Sequence, residues 1–167
     1  VWGYRETDRL GGKDPYSASK GMAELVIRSY VESFFNSQDS NVRVGVTRAG
    51  NVIGGGDWKK DRLIPDLIRA IKSNSTLILR NPESTRPWQH VLEPLSGYLK
   101  LGQVLLSKSG NNFAKAWNFG PNKSDCATVN NVVEKVRRLL LSRVGFWAGQ
   151  TYDLSPGDNP DQLTIQA

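Results

Sequence analysis

Helical and strand periodicities alternate along this chain, and that alternation restricts its folding more than any other feature. After Asp14, a good N-cap, and Pro15 at the first helical position, the apolar residues Ala18, Met22, Leu25, Val26, Tyr30 and Phe34 recur at helical spacing. The spacing predicts a helix from Tyr16 to about Phe35, then a turn-rich break over 36–41. Val42, Val44 and Val46 alternate with Arg43, Gly45 and Thr47, the period of a strand, and lead into the glycine-rich run RAGNVIGGGD over 48–57. Leu63, Ile64, Leu67, Ile68 and Ile71 mark a second helix, with Pro65 in its first turn. A short strand is expected over 76–80, loop over 81–87, and a third helix opened by Pro94 with Leu95, Tyr98, Leu99 and Leu105 as its core face. Ala116 to Phe119 reads as strand. Thr128 caps a fourth helix that turns Val129, Val132, Val133, Val136, Leu139 and Leu140 inward. This succession predicts an α/β fold with a parallel or mixed sheet. In open sheets of this class ligands bind beyond the carboxyl ends of the strands, where the run 48–57 lies. Residues 143–167 have weak periodicity and several turn formers.

Composition removes several functional classes. The single cysteine, Cys126, and the single histidine, His90, cannot build a disulfide framework, a thiolate cluster or a structural zinc site. A reducing, cytoplasmic setting is the simplest expectation. No apolar run approaches the roughly 18 residues that span a membrane, so no membrane partner is expected. The net charge of +6 divides evenly between the halves of the chain. The densest basic stretch, Lys135, Arg137, Arg138 and Arg143, follows a helical pattern and reads as a solvated face rather than a nucleic-acid stripe. No metal and no nucleic acid are expected. A mild positive balance suits anionic small molecules such as nucleotides.

The segment DPYSASK over 14–20 carries the clearest chemistry. Tyr16 and Lys20 are four residues apart on a predicted helix and project from one face. A free tyrosine has a pKa of about 10 and is mostly protonated at neutral pH. A lysine one turn away supplies the positive charge that favours the phenolate, and with it a base. Two fixed residues also occur by chance, as a packed tyrosine and a solvated lysine.

The surrounding text adds to this. The stretch WGYRETDRLGGKDPYSASKGMAE over 2–24 resembles the catalytic helix of the extended short-chain dehydrogenase/reductase superfamily, the NAD-dependent epimerases and dehydratases. RAGNVIGGGDW over 48–58, followed by DRLIP over 61–65, looks like that family's strand end and substrate loop. RNPESTRPWQHVLEPLSGY over 80–98 and WNFGP over 117–121 are similar to the nucleotide-sugar 4,6-dehydratases that act on CDP-glucose. The resemblance covers about residues 1–141.

The resemblance implies NAD as a tightly held cofactor and a CDP-sugar substrate. CDP-D-glucose would become CDP-4-keto-6-deoxy-D-glucose with loss of water. Oxidation at C4 acidifies the C5 proton, water leaves from C5 and C6, and the hydride returns to C6. It assigns Tyr16 as general base. It assigns Lys20 to tuning Tyr16, and both residues to cofactor binding, Lys20 at the nicotinamide ribose. Asn51 would face the substrate phosphates, or be a plain turn asparagine. Arg86 would pair with the diphosphate through its donor fork, or sit in a surface ion pair. Leu63 and Ile64 would pack near the nucleotide base, or be core. Trp88 reads as core rather than ligand, and His90 as a structural hydrogen-bonding residue or a substrate-side one. The glycines 54–56 do not open a helix as a dinucleotide fingerprint must, and would let the loop approach the sugar.

By this resemblance, residues 1–53 are the remainder of an NAD-binding domain with the Tyr-Lys helix. Residues 54–167 are mainly a substrate-binding region, with segments returning to the Rossmann-like doubly wound sheet. The family's opening strand, glycine-rich turn and helix are not legible, and after residue 143 the match is loose around LSPGDNP (154–160). The expectation is the C-terminal portion of a longer, homodimeric enzyme, truncated at both ends. Residues 1–167 alone are expected to bind NAD poorly and turn over nothing measurable. A nucleotide-sugar epimerase or reductase of the same superfamily, and a non-catalytic nucleotide-sugar binding module, remain open alternatives.

Overall fold

The computed structural model describes residues 3–37, 40–73, 75–143, 153–156 and 163–166, which form two compact units interleaved in sequence. Trp2, residues 157–160 and most of the remaining tail, on which parts of the resemblance fall, lie outside the described residues.

The first unit comprises residues 1–49 and 92–120. Helix α1 (Pro15–Tyr30) starts where expected, because Asp14 caps it and Pro15 needs no N–H there. It continues into a single π-helical segment, Val31–Phe35. Strand β1 is Val46–Ala49, shorter and later than the valine alternation predicts. Its parallel partner in this unit (labelled β6 below), Ala116–Phe119, begins opposite Val46, so Val42 and Val44 have no such ladder to join. Helix α3 (Leu92–Leu105) begins two residues before Pro94. Its expected core face is corrected. Pro94 and Leu101 are buried, whereas Leu95 and Leu99 are exposed. The reason is the packing of Gly97 and Leu101. A methyl on Gly97 would lie 2.5 Å from Phe119 Cδ1, and Leu101 lies 3.0 Å from where a Gly45 Cβ would stand. The helix therefore faces β1 and its partner along 94, 97 and 101. The apolar row of α1 is likewise exposed at Met22, Leu25, Val26, Tyr30 and Phe34, and its one buried residue is Gly21.

The second unit comprises 50–91 and 121–167. Its elements are β2 (Val52–Ile53), α2 (Leu63–Ser73), β3 (Leu77–Leu79), β4 (Thr85–Arg86), β5 (Gln89–His90), β7 (Ala127–Thr128), α4 (Val129–Arg143), β8 (Asp153–Pro156) and β9 (Leu163–Gln166), with β6 the first unit's Ala116–Phe119. The strands pair as parallel β2–β5, antiparallel β4–β7 and an antiparallel β3–β9–β8 sheet. The core is Leu67 from α2, Leu79 from β3 and Val133 from α4, with Leu63, Ile71, Leu77, Val129 and Val136 packed against it. Thr128 caps α4 as expected, accepting from Asn131 N–H at 3.1 Å. Leu139 and Leu140 are exposed rather than inward, since α4 has outrun the α2–β3 layer by that turn. The hairpin β8–β9 gives regular structure to part of the tail that periodicity leaves unassigned. Among the described residues, no helix is long and apolar enough to cross a membrane.

Candidate active site

The Tyr-Lys pair sits in the first two turns of α1. Ser17 fixes the helix start: its N–H donates to Asp14 Oδ1 at 3.0 Å and its hydroxyl to Oδ2 at 2.6 Å. These bonds, the hydroxyl first, hold the Asp14 carboxyl below its ordinary range. The Tyr16 side chain is 71% exposed, and Lys20 Nζ stands 5.7 Å from its ring centroid. That arrangement holds a cation beside a phenol open to an incoming molecule. Among the described residues Lys20 has no ion pair. One residue beyond Lys20 the 3–14 segment crosses the helix: a Cβ on Gly21 would meet Gly11 N at 3.1 Å, and Gly11 itself has φ +90°. Both glycines are required for that crossing.

A second cluster lies one turn further along α1. Arg48, in β1, grips Glu24 through Nε (2.8 and 3.1 Å) and Nη2 (2.6 Å). Its Nη1 donates to the Glu6 carbonyl at 3.1 Å. The Glu6 carboxylate accepts from Asn118 N–H at 2.8 Å, which holds it below its ordinary range. Asn118 Nδ2 donates to the Tyr4 carbonyl at 3.0 Å. Helix α1, β1, β6 and the 3–8 segment are thus tied at one guanidinium. Sequence reasoning assigned no role to Glu24 or Arg48. The available signal was the placement of Glu24 four residues after Lys20.

The remaining candidates belong to the second unit. Asn51 is exposed in the bend before β2, and its carbonyl accepts from Gln89 N–H at 2.9 Å. Arg86 is exposed in β4, opposite Ala127, and forms no ion pair among the described residues. Leu63 and Ile64 open α2 half-buried, Leu63 against the core. Trp88 donates its indole N–H to the Ala127 carbonyl at 3.1 Å, and His90 is exposed in β5. Gly54 meets Val91, where a Cβ would lie 2.7 Å from Cγ1, while Gly56 has φ +81°. Helix α2 starts only at Leu63, so the glycines do not open it. Trp58 is fastened to α2 by Lys72, 5.2 Å over its ring, and by Arg69, which donates to the Trp58 carbonyl at 2.8 Å.

The sequence model of the NAD dependent epimerase/dehydratase family matches residues 3–113. The chain belongs to that family. It is 50% identical over 162 residues to a CDP-glucose 4,6-dehydratase of Salmonella typhimurium, covering 95% of this chain and 43% of the relative. The chain thus spans less than half the length of that curated relative. Among solved structures it is similar to a dTDP-glucose 4,6-dehydratase of Bacillus anthracis in complex with NAD, at 25% identity and a TM-score of 0.64, covering 84% of this chain and 41% of that one. A UDP-N-acetylglucosamine 4-epimerase of Methanobrevibacter ruminantium matches at 22% identity and a TM-score of 0.61, over 82% of this chain and 41% of that one. The fold of this epimerase/dehydratase chain is therefore the α/β class expected from its element order, and of the Rossmann type that the family resemblance implied.

Proposed function

We propose that this chain carries the catalytic pair and the substrate-facing segments of an enzyme that dehydrates CDP-glucose to CDP-4-keto-6-deoxy-glucose. The observation that carries the reading is the 50% identity to a CDP-glucose 4,6-dehydratase over nearly the whole chain, which includes Tyr16 and Lys20 on one exposed helix face.

An exposed phenol beside an ammonium that has no carboxylate partner among the described residues fits the nicotinamide-ribose end of NAD: two donors for ribose hydroxyls and one site for a proton. NAD, when bound, supplies the hydride acceptor for C4 and the donor for C6. Tyr16 Oη takes the proton of the C4 hydroxyl as C4 becomes the ketone that the product retains, and in the overall balance that proton leaves with the C6 hydroxide as water. Lys20 Nζ stabilises the phenolate and hydrogen-bonds the ribose. Arg86 offers its planar donor fork to the diphosphate, and the absence of an ion pair among the described residues leaves that fork available. Asn51 donates to a phosphate oxygen. Leu63 and Ile64 face the base with whatever surface the core leaves uncovered. Residues 1–53 serve NAD and the rest mainly the sugar nucleotide. The complete protein works as a homodimer in the cytoplasm.

The test is turnover by the protein expressed from its complete reading frame, with CDP-glucose in deuterated water. Formation of the 4-keto-6-deoxy product with deuterium at C5 is expected. Tyr16→Phe is expected to cut kcat by about a hundredfold or more. Release of CDP-galactose without loss of water would replace the reading by an epimerase. Binding without any turnover would leave a binding module.

A further inference from the structure

We propose that Arg48 is a positioning residue that keeps the Glu24 carboxylate off Lys20, and so keeps the Lys20 ammonium on Tyr16. The inference rests on the reading of Tyr16 and Lys20 as the catalytic pair. Tyr16, Lys20 and Glu24 are spaced four residues apart on α1, each about 40° further round the helix than the last. Glu24 therefore stands one turn from Lys20 on the same row, where oppositely charged side chains ordinarily meet. A Lys20–Glu24 pair would draw the ammonium down the helix, away from Tyr16. In this molecule the ammonium is instead at Tyr16, 5.7 Å from the ring centroid.

Arg48 accounts for the difference. It engages both Glu24 oxygens, at 2.6–3.1 Å, in a fork that a lysine cannot match. The two side chains are 23% and 19% exposed, so their attraction is less screened than that of a pair in open solvent. Arg48 is itself aimed by the Glu6 carbonyl and held in the β1–β6 ladder opposite Asn118. Three further carboxylates of the 3–14 segment already have hydrogen-bond partners, Glu6 in Asn118 N–H, Asp8 in Arg5 N–H and Asp14 in Ser17. The remaining charges near Glu6 are Lys115 and Arg48 itself.

The experiment compares wild type, R48M, E24Q and the double variant R48M/E24Q, each expressed from the complete reading frame. The first readout needs neither cofactor nor substrate: the rate of reductive methylation of Lys20, followed by mass spectrometry. R48M is expected to slow Lys20 labelling several-fold, and the double variant to restore it. The second readout is kinetic. R48M is expected to lower kcat about tenfold with KM for the nucleotide sugar little changed, E24Q to stay within about twofold of wild type, and the double variant to recover most of the loss. If the double variant is as impaired as R48M, Arg48 is only a clamp and the proposal falls. It falls equally if Lys20 labels alike in R48M and wild type. Should R48M not fold, R48K keeps the cation. Its single ammonium holds Glu24 less firmly than the fork, so R48K is expected to show a partial loss in both readouts that E24Q reverses, and a loss in R48K that E24Q does not reverse overturns the proposal. A wild type that dehydrates nothing while Lys20 labelling follows the expected pattern would defeat the assigned function and leave the Arg48 inference standing.

Discussion

At the scale of single residues, the local geometry of 14–20 was readable in the sequence because it is local. Asp14, Pro15, Ser17, Tyr16 and Lys20 lie within seven positions, and cap, start and pair all follow from helical spacing. Arg48 and Glu24 are 24 residues apart and become partners only when β1 docks on α1, so no spacing rule connects them. The cap carries a pH signature. The Asp14 carboxyl is held below its ordinary range by Ser17, so its folded-state pKa is depressed relative to the unfolded chain. Its stabilisation is complete above the unfolded aspartate value of about 4 and is lost as pH falls through the folded value. Asp14→Ala is accordingly expected to lower Tm by a few degrees at pH 7. That difference should shrink progressively in thermal scans taken further and further below the unfolded aspartate value.

At the scale of elements, helices were easier to foresee than strands. Helix α2 and strand β6 appear where their patterns put them. β2, β4, β5 and β7 are two residues long and carry no period, and each exists only because a distant segment supplies the ladder. Helix α3 shows the other difficulty. It has two apolar rows, 94–97–101 and 92–95–99–106, and periodicity alone does not say which is inside. Gly97 decides it by admitting the Phe119 ring, which in turn packs edge-on against Tyr98 at 5.2 Å. Gly97→Ala is therefore expected to destabilise the protein by about 1–3 kcal/mol despite its better helix propensity, because the added Cβ overlaps the Phe119 ring and forces it to shift. Urea unfolding with unchanged m-value measures this. A neutral or stabilising result would mean that α3 can slide on β6.

At the scale of the whole molecule, the exposed apolar rows are the dominant surface feature. Met22, Leu25, Val26 and Tyr30 on α1, Phe34 in the π-helical segment after it, and Leu92, Leu95, Leu99 and Leu106 along α3 and just beyond it all stand exposed, and an apolar surface of this kind favours association. Residues 1–167 produced alone are expected to bind a hydrophobic dye strongly and to sediment above the monomer mass. A dye-silent, monodisperse monomer in sedimentation velocity would contradict this. A different consequence follows from the interleaving of the two units. Val46 finds Ala116 only after 70 further residues, and the second unit is itself split around the segment 92–120. A ribosome adding about 5–20 residues each second will have made α1 and β1 seconds before β6, the ladder partner of β1, exists. During that interval β1 has no β6 ladder, so the first unit cannot close until Phe119 has been made. The first unit is thus a late closure in the order of synthesis, completed only after the second unit's 50–91 segment has already been made.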